Sequence, residues 1–161
     1  MLFTASFCCL LFFVSCQMQG RSGIKKDLNT GITTTYSKMM PQETLLVMNG
    51  ETLHHTDIPL GENFVLVNTG VTGMVEKNGK VSAGCSLEIT DSVGKVLLQE
   101  PDLFLGRDVF NVKDASVLKC TIQTGAPMEW DKSYHIKVVF RDKYGTGTIE
   151  NELKINMIDI P

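Results

Sequence analysis

Apolar and polar positions divide the chain into three stretches with different patterns. From Phe7 to Val14 every residue is apolar, and no charged side chain stands before Arg21. A bilayer-spanning helix needs about 20 apolar residues, so this run has the length of a signal-peptide core instead. From Gln17 to about Gln42 the chain is polar, with Gly20, Gly23 and Gly31, the run Thr33-Thr34-Thr35 and no periodic apolar face. That composition predicts a flexible tether over residues 16–42, with a coil reach of roughly 25 to 30 Å. Tyr36, Met39 and Met40 offer the alternative of a first edge strand. After Glu43 the pattern has period two, and no stretch of twelve residues carries a helical apolar stripe. Residues 43–161 are therefore expected to form one all-β domain.

Turn signals divide that domain into strands. Asn49-Gly50 joins Thr44–Met48 to Glu51–His54 as a tight hairpin, because Asn-Gly readily takes the positive φ angles of a type I′ turn. Glu62–Thr69 is apolar on both faces and predicts a central, covered strand. Lys77-Asn78-Gly79 is expected to connect Val71–Glu76 to Lys80–Thr90 in another hairpin. Asp91-Ser92-Val93-Gly94 and Asp142-Lys143-Tyr144-Gly145 are matching turns in which the Asp side chain can accept backbone N–H groups. Tyr134, Ile136, Val138 and Phe140 alternate with polar residues, as do Ile149, Leu153, Ile155 and Met157. One dry and one wet face per strand is the mark of an antiparallel sheet packed on a second sheet. About eight short strands then fit a two-sheet sandwich.

Composition narrows the function without naming it. At 161 residues, 43% hydrophobic and 20% charged, the chain suits a single globular domain. That length buries roughly two thirds of the unfolded surface, so no disulfide is obligatory. The formal charge is -3, and basic residues never cluster beyond Lys25-Lys26, which argues against a nucleic-acid partner.

Phe13-Val14-Ser15-Cys16 resembles the lipobox of bacterial lipoproteins, although Phe13 stands where leucine is usual and no Lys or Arg precedes it. The resemblance implies that residues 1–15 are a cleaved signal peptide and that the Cys16 thiol carries diacylglycerol. An ordinary secretory leader or an uncleaved anchor are the other readings of the same block. Gln17, following the cysteine, implies outer-membrane delivery by analogy. Trp130-x-x-x-Tyr134, the Asp142–Gly147 turn and the alternating final strand resemble the end of immunoglobulin-like or fibronectin-like domains in bacterial surface lipoproteins. Antibody-type domains carry their tryptophan between paired cysteines, and here Trp130 follows Cys120.

Candidate chemistry is sparse. Strand parity turns Cys85 and Cys120 inward, which suits a disulfide and a pair of buried free thiols equally. His54, His55 and Asp57 do not make a metal site, because adjacent strand residues point to opposite faces. The turn aspartates lack the spacing of a calcium loop, so no metal is expected. No Gly-x-Ser-x-Gly, phosphate-binding loop or Cys-x-x-Cys occurs, and neither a catalytic residue nor a cofactor is expected.

The expectation that follows is a non-catalytic, lipid-anchored envelope module that binds a protein or a surface glycan. Its contact residues would come from the loops Glu100–Lys113 or Thr124–Lys132, with Met128 and Trp130 as candidates. An alternative is a carrier in which the strands close into a barrel around an apolar ligand, with Leu97, Leu98, Leu103, Phe104, Leu105 and Phe110 supplying apolar surface. A small envelope hydrolase is the remaining alternative.

Overall fold

The computed structural model describes residues 21–159; the apolar leader and Cys16 lie outside the described residues. Twelve strands follow one another: β1 (Ser22–Lys26), β2 (Thr33–Ser37), β3 (Glu43–Met48), β4 (Glu51–Leu53), β5 (Asp57–Pro59), β6 (Asn63–Thr69), β7 (Lys80–Asp91), β8 (Val96–Glu100), β9 (Val109–Asn111), β10 (Leu118–Gln123), β11 (Ser133–Asp142) and β12 (Thr148–Ile158). They form an eight-stranded sheet, ordered β1-β2-β12-β11-β7-β8 with β5 on β12 and β9 on β7, and a four-stranded sheet, β10-β6-β3-β4. Pairing is antiparallel except between β5 and β12. Among the described residues the only helix is a single 3-10 turn at Asp114–Ser116.

The two sheets bury one face each against the other. Phe64, Leu66 and Cys120 of the smaller sheet share a core with Cys85, Leu87, Ile136, Val138, Phe140, Ile149 and Ile155 of the larger one. Strand parity delivers this: β10 reads buried-exposed throughout and β12 keeps Ile149, Asn151, Leu153, Ile155 and Met157 inside. The fold is an all-β sandwich, as the alternation predicts. Both sheets are open, so the barrel required by the carrier reading is not formed. Of its apolar residues, Leu97, Phe104 and Phe110 pack on the core, while Leu98, Leu103 and Leu105 are exposed.

Local turn chemistry matches the sequence. Asn49 and Gly50 both have positive φ, 52° and 84°. The Asp91 carboxylate accepts from Val93 N at 3.0 Å and Lys95 N at 2.9 Å, closing β7 onto β8. Asp142 accepts from Tyr144 N at 3.0 Å and from Val75 N at 2.7 Å, closing β11 onto β12.

Three expectations are corrected. First, the tether assigned to residues 16–42 is sheet from Ser22 onward: β2 pairs with β12, and β1 extends that edge. Its lack of apolar alternation reflects what holds it, a backbone ladder plus a few inserted side chains, with Ile32, Thr34 and Met39 buried. Gly73 completes the docking, because a Cβ there would collide with the Lys38 carbonyl. The sandwich therefore begins near residue 22 rather than 43. Second, Val71–Glu76 is not a strand; it makes one isolated bridge, Met40 to Thr72. Third, among the described residues there are twelve strands rather than about eight, the surplus being β1, β2 and the three-residue pieces β5 and β9.

Candidate functional site

Cys85 on β7 and Cys120 on β10 come from opposite sheets and are fully buried, as their parity predicts. Both are free thiols. The Cys85 thiol is pushed well above the ordinary thiol range, first by a hydrogen bond shared with Cys120 and then by burial. Both thiols belong to the core shared by the two sheets.

The outer face of the larger sheet carries a hollow of about 500 Å³ lined by residues including Glu88, Gln99, Lys137 and Arg141. Several of its polar groups already have protein partners. Lys137 pairs with Glu150 at 2.8 Å and Glu152 at 3.3 Å. Arg141 donates to Ser86 Oγ at 2.7 Å, and Gln99 to Glu88 at 3.1 Å. The Glu100–Lys113 loop is tied down by Lys143 and by its phenylalanines, with Leu103 and Leu105 left exposed. Lys143 bridges Asp102 at 2.6 Å and Asp108 at 2.8 Å, and Phe104 packs on Phe110 and Phe140. Burial acts to raise the Asp102 pKa, but hydrogen bonds from Lys143, Cys85 N and Phe104 N outweigh it and hold the carboxyl below its usual range.

The loop Thr124–Lys132 is different: its backbone is pinned while its largest side chain is left outside. The Thr124 hydroxyl lies between the carbonyls of Pro59 at 3.2 Å and Glu62 at 2.8 Å, and accepts from Gly61 N at 2.9 Å. Met128 N donates to Gly125 O at 2.7 Å, and Glu129 N donates to the Tyr134 hydroxyl at 2.8 Å. On the far side Asp131, at φ 57°, donates its N–H to Met157 O at 2.9 Å, and Met157 N returns a bond to Lys132 O at 2.8 Å. The residues on both sides of Trp130 are thus held by β11 and β12, and the indole is 63% exposed.

The two candidate contacts of this loop part company. Met128 is only 7% exposed and belongs to the core, because the tight Gly125–Met128 turn folds its side chain under the loop. Trp130 faces solvent. Around it lies a concavity of about 440 Å³ lined by Leu60, Met128, Glu129, Trp130, Asp131 and Lys132. A second concavity of about 440 Å³ shares Glu129 and Lys132 with the first and continues to Asp91, Lys95 and Ser133. Neither Lys95 nor Lys132 takes part in the ion pairs among the described residues. The part played by the Asp91–Lys95 turn has no local sequence signal, since only the pairing of Asp91 with Tyr134 brings it beside the loop.

This arrangement offers a rigid aromatic face flanked by carboxylates and ammonium groups. An indole face carries negative π density that attracts the polarised C–H groups of a flat apolar surface. His54, His55 and His135 lie on the exposed surface. Among the described residues no group of three or more His, Cys, Asp or Glu is placed to hold a metal ion.

No family model matches the chain, and no curated protein matches it in sequence. A solved structure described as the C-terminal domain of Wzt is similar in fold, with a TM-score of 0.54 and 9% identity over 90% of this chain and 81% of that one. At that identity the likeness supports the β-sandwich alone.

Proposed function

We propose that this chain is a non-catalytic glycan-binding module of the bacterial envelope, anchored by a lipid on Cys16, with Trp130 as its sugar platform. The single observation behind the sugar reading is an indole held 63% exposed by a loop whose backbone is fixed on both sides. Leaving that much apolar surface in water is unfavourable, and a pre-ordered aromatic loses little entropy when a ligand covers it. A pyranose presents one face of C–H groups to the indole and a rim of hydroxyls to Glu129, Asp131 and Lys132. The anchoring reading rests on the apolar leader and the Phe13-Val14-Ser15-Cys16 sequence. With two or three acyl chains the attachment would be stable, where one chain alone is marginal.

Trp130 is the only tryptophan, so intrinsic fluorescence reports on this site directly. Titration with envelope oligosaccharides is expected to change that emission, and Trp130→Ala is expected to abolish binding measured by calorimetry. Unchanged affinity in Trp130→Ala would remove the platform reading. Labelled palmitate is expected to enter the wild-type chain and not Cys16→Ala; equal labelling would remove the anchor.

A further inference from the structure

Resting on the sugar reading of Trp130, we propose that the site selects an acidic glycan, and that Lys95 and Lys132 in the second lobe take the anionic group of the sugar unit next to the one stacked on the indole.

The two lobes share Glu129 and Lys132 as a common wall, so a ligand leaving the Trp130 face passes directly into the second hollow. Each measures about 440 Å³, room for a sugar unit apiece. Their chemistry differs. The first adds Asp131 to the shared Glu129 and Lys132, giving acceptors suited to the hydroxyls of a stacked ring. The second adds Lys95 and Asp91 to that shared pair, and neither Lys95 nor Lys132 takes part in an ion pair among the described residues. The aspartate closest in sequence is already engaged: Asp91 accepts Val93 N and Lys95 N within its own turn. Ser133 Oγ is committed to Asn156 Oδ1 at 2.8 Å. Lys137 at the larger-sheet hollow and Lys143 beside the Glu100–Lys113 loop, by contrast, are bridged by two carboxylates each. Two lysines that line one hollow beside an aromatic platform can make charge-assisted hydrogen bonds to an anion on the ligand. A carboxylate of a uronic acid and a sugar-linked phosphate share that chemistry.

The test uses the full chain in detergent and follows Trp130 emission against three oligosaccharide ladders, from disaccharide to hexasaccharide: neutral, uronic-acid and phosphate-bearing. Acidic ladders are expected to bind roughly tenfold tighter than the neutral ladder, the scale of one charge-assisted hydrogen bond, with the preference shrinking as salt rises. Comparison of the two acidic ladders identifies the anion. Lys95→Ala, a residue of the second lobe alone, is expected to lower acidic binding toward the neutral level while neutral binding holds. Equal affinity for neutral and acidic ladders, or a preference that survives Lys95→Ala in full, overturns this inference and leaves the platform reading standing. Silence from all three ladders overturns both.

Discussion

Asn68 of β6 and Asn151 of β12 exchange side-chain hydrogen bonds across the core, Asn151 Nδ2 donating to Asn68 Oδ1 at 3.0 Å and Asn68 Nδ2 to Asn151 Oδ1 at 3.2 Å. Thr34 of β2 and Thr44 of β3 complete the network, at 3.0 Å to Asn151 Oδ1 and 2.7 Å from Asn68 Nδ2. Both asparagines are fully buried, so one polar cluster sets how the two sheets align. A buried polar network of this kind is stabilising only while every member is satisfied. Asn151→Ala should leave the Asn68 amide short of a partner and destabilise by about 1 to 3 kcal/mol. Urea denaturation checks it, and the double variant with Asn68→Ala should cost less than the two single changes added together.

Trp130 and Met128 sit two residues apart and should behave oppositely. Trp130→Ala should abolish glycan binding with little change in melting temperature, since the indole is mostly in water. Met128→Ala empties a core position and should destabilise by about 2 kcal/mol or more. Paired thermal melts and binding isotherms separate the two; a large stability loss in Trp130→Ala would mean that the indole is a lid on the sandwich end.

The segment before Glu43 should be indispensable. Deleting residues 22–37 removes β1 and β2, strips the ladder from one side of β12 and takes Thr34 out of the buried network. Loss of cooperative unfolding is the expected result, read by circular dichroism. A flexible tether would be removable without effect.

Lys143 ties Asp102 and Asp108 together, and the effect on pH dependence has a definite sign. Both carboxyls are held below their usual range: in Asp102 the bonds from Lys143, Cys85 N and Phe104 N overcome burial, and in Asp108 the Lys143 bond leads. A depressed carboxyl contributes stability above its unfolded pKa, about 3.9, and loses it as pH falls through the lower folded value. The Lys143 pKa is raised by its bond to Asp102 and then by that to Asp108. Its contribution is present below about pH 10.4 and lost as pH climbs through the higher folded value. Lys143→Met should therefore soften the stability loss at both extremes, measured as melting temperature against pH.

Cys85 and Cys120 should resist alkylation in the folded chain and both react once it is unfolded, in a background where Cys8, Cys9 and Cys16 are replaced. Both sulfurs are buried in the core, so exclusion of the reagent rather than protonation governs the outcome, and mildly alkaline pH should not change it. Rapid native-state labelling would contradict the packing, and a mass lower by two protons with no labelling after unfolding would show a disulfide.

What could be read from the chain alone was whatever neighbours in sequence decide. Asn49-Gly50 dictates its own turn, Asp91 and Asp142 cap theirs, and alternation through Tyr134–Phe140 and Ile149–Met157 states which face is dry. These are consequences of backbone sterics and period two, and they hold before any partner strand is chosen. Ser22–Ser37 gave no such signal, because its strands exist through pairing with β12 rather than through their own apolar pattern. The division between Met128 and Trp130 was equally hidden: a loop names its residues in order but not which way each turns. Bonds to the Tyr134 hydroxyl on β11 and to and from the Met157 backbone on β12 orient that loop. The Asp91–Lys95 turn lies beside Trp130 only because β7 pairs with β11. Local sterics are written along the chain, whereas a site assembled from three loops depends on which strands become neighbours, and that is decided only when the core closes.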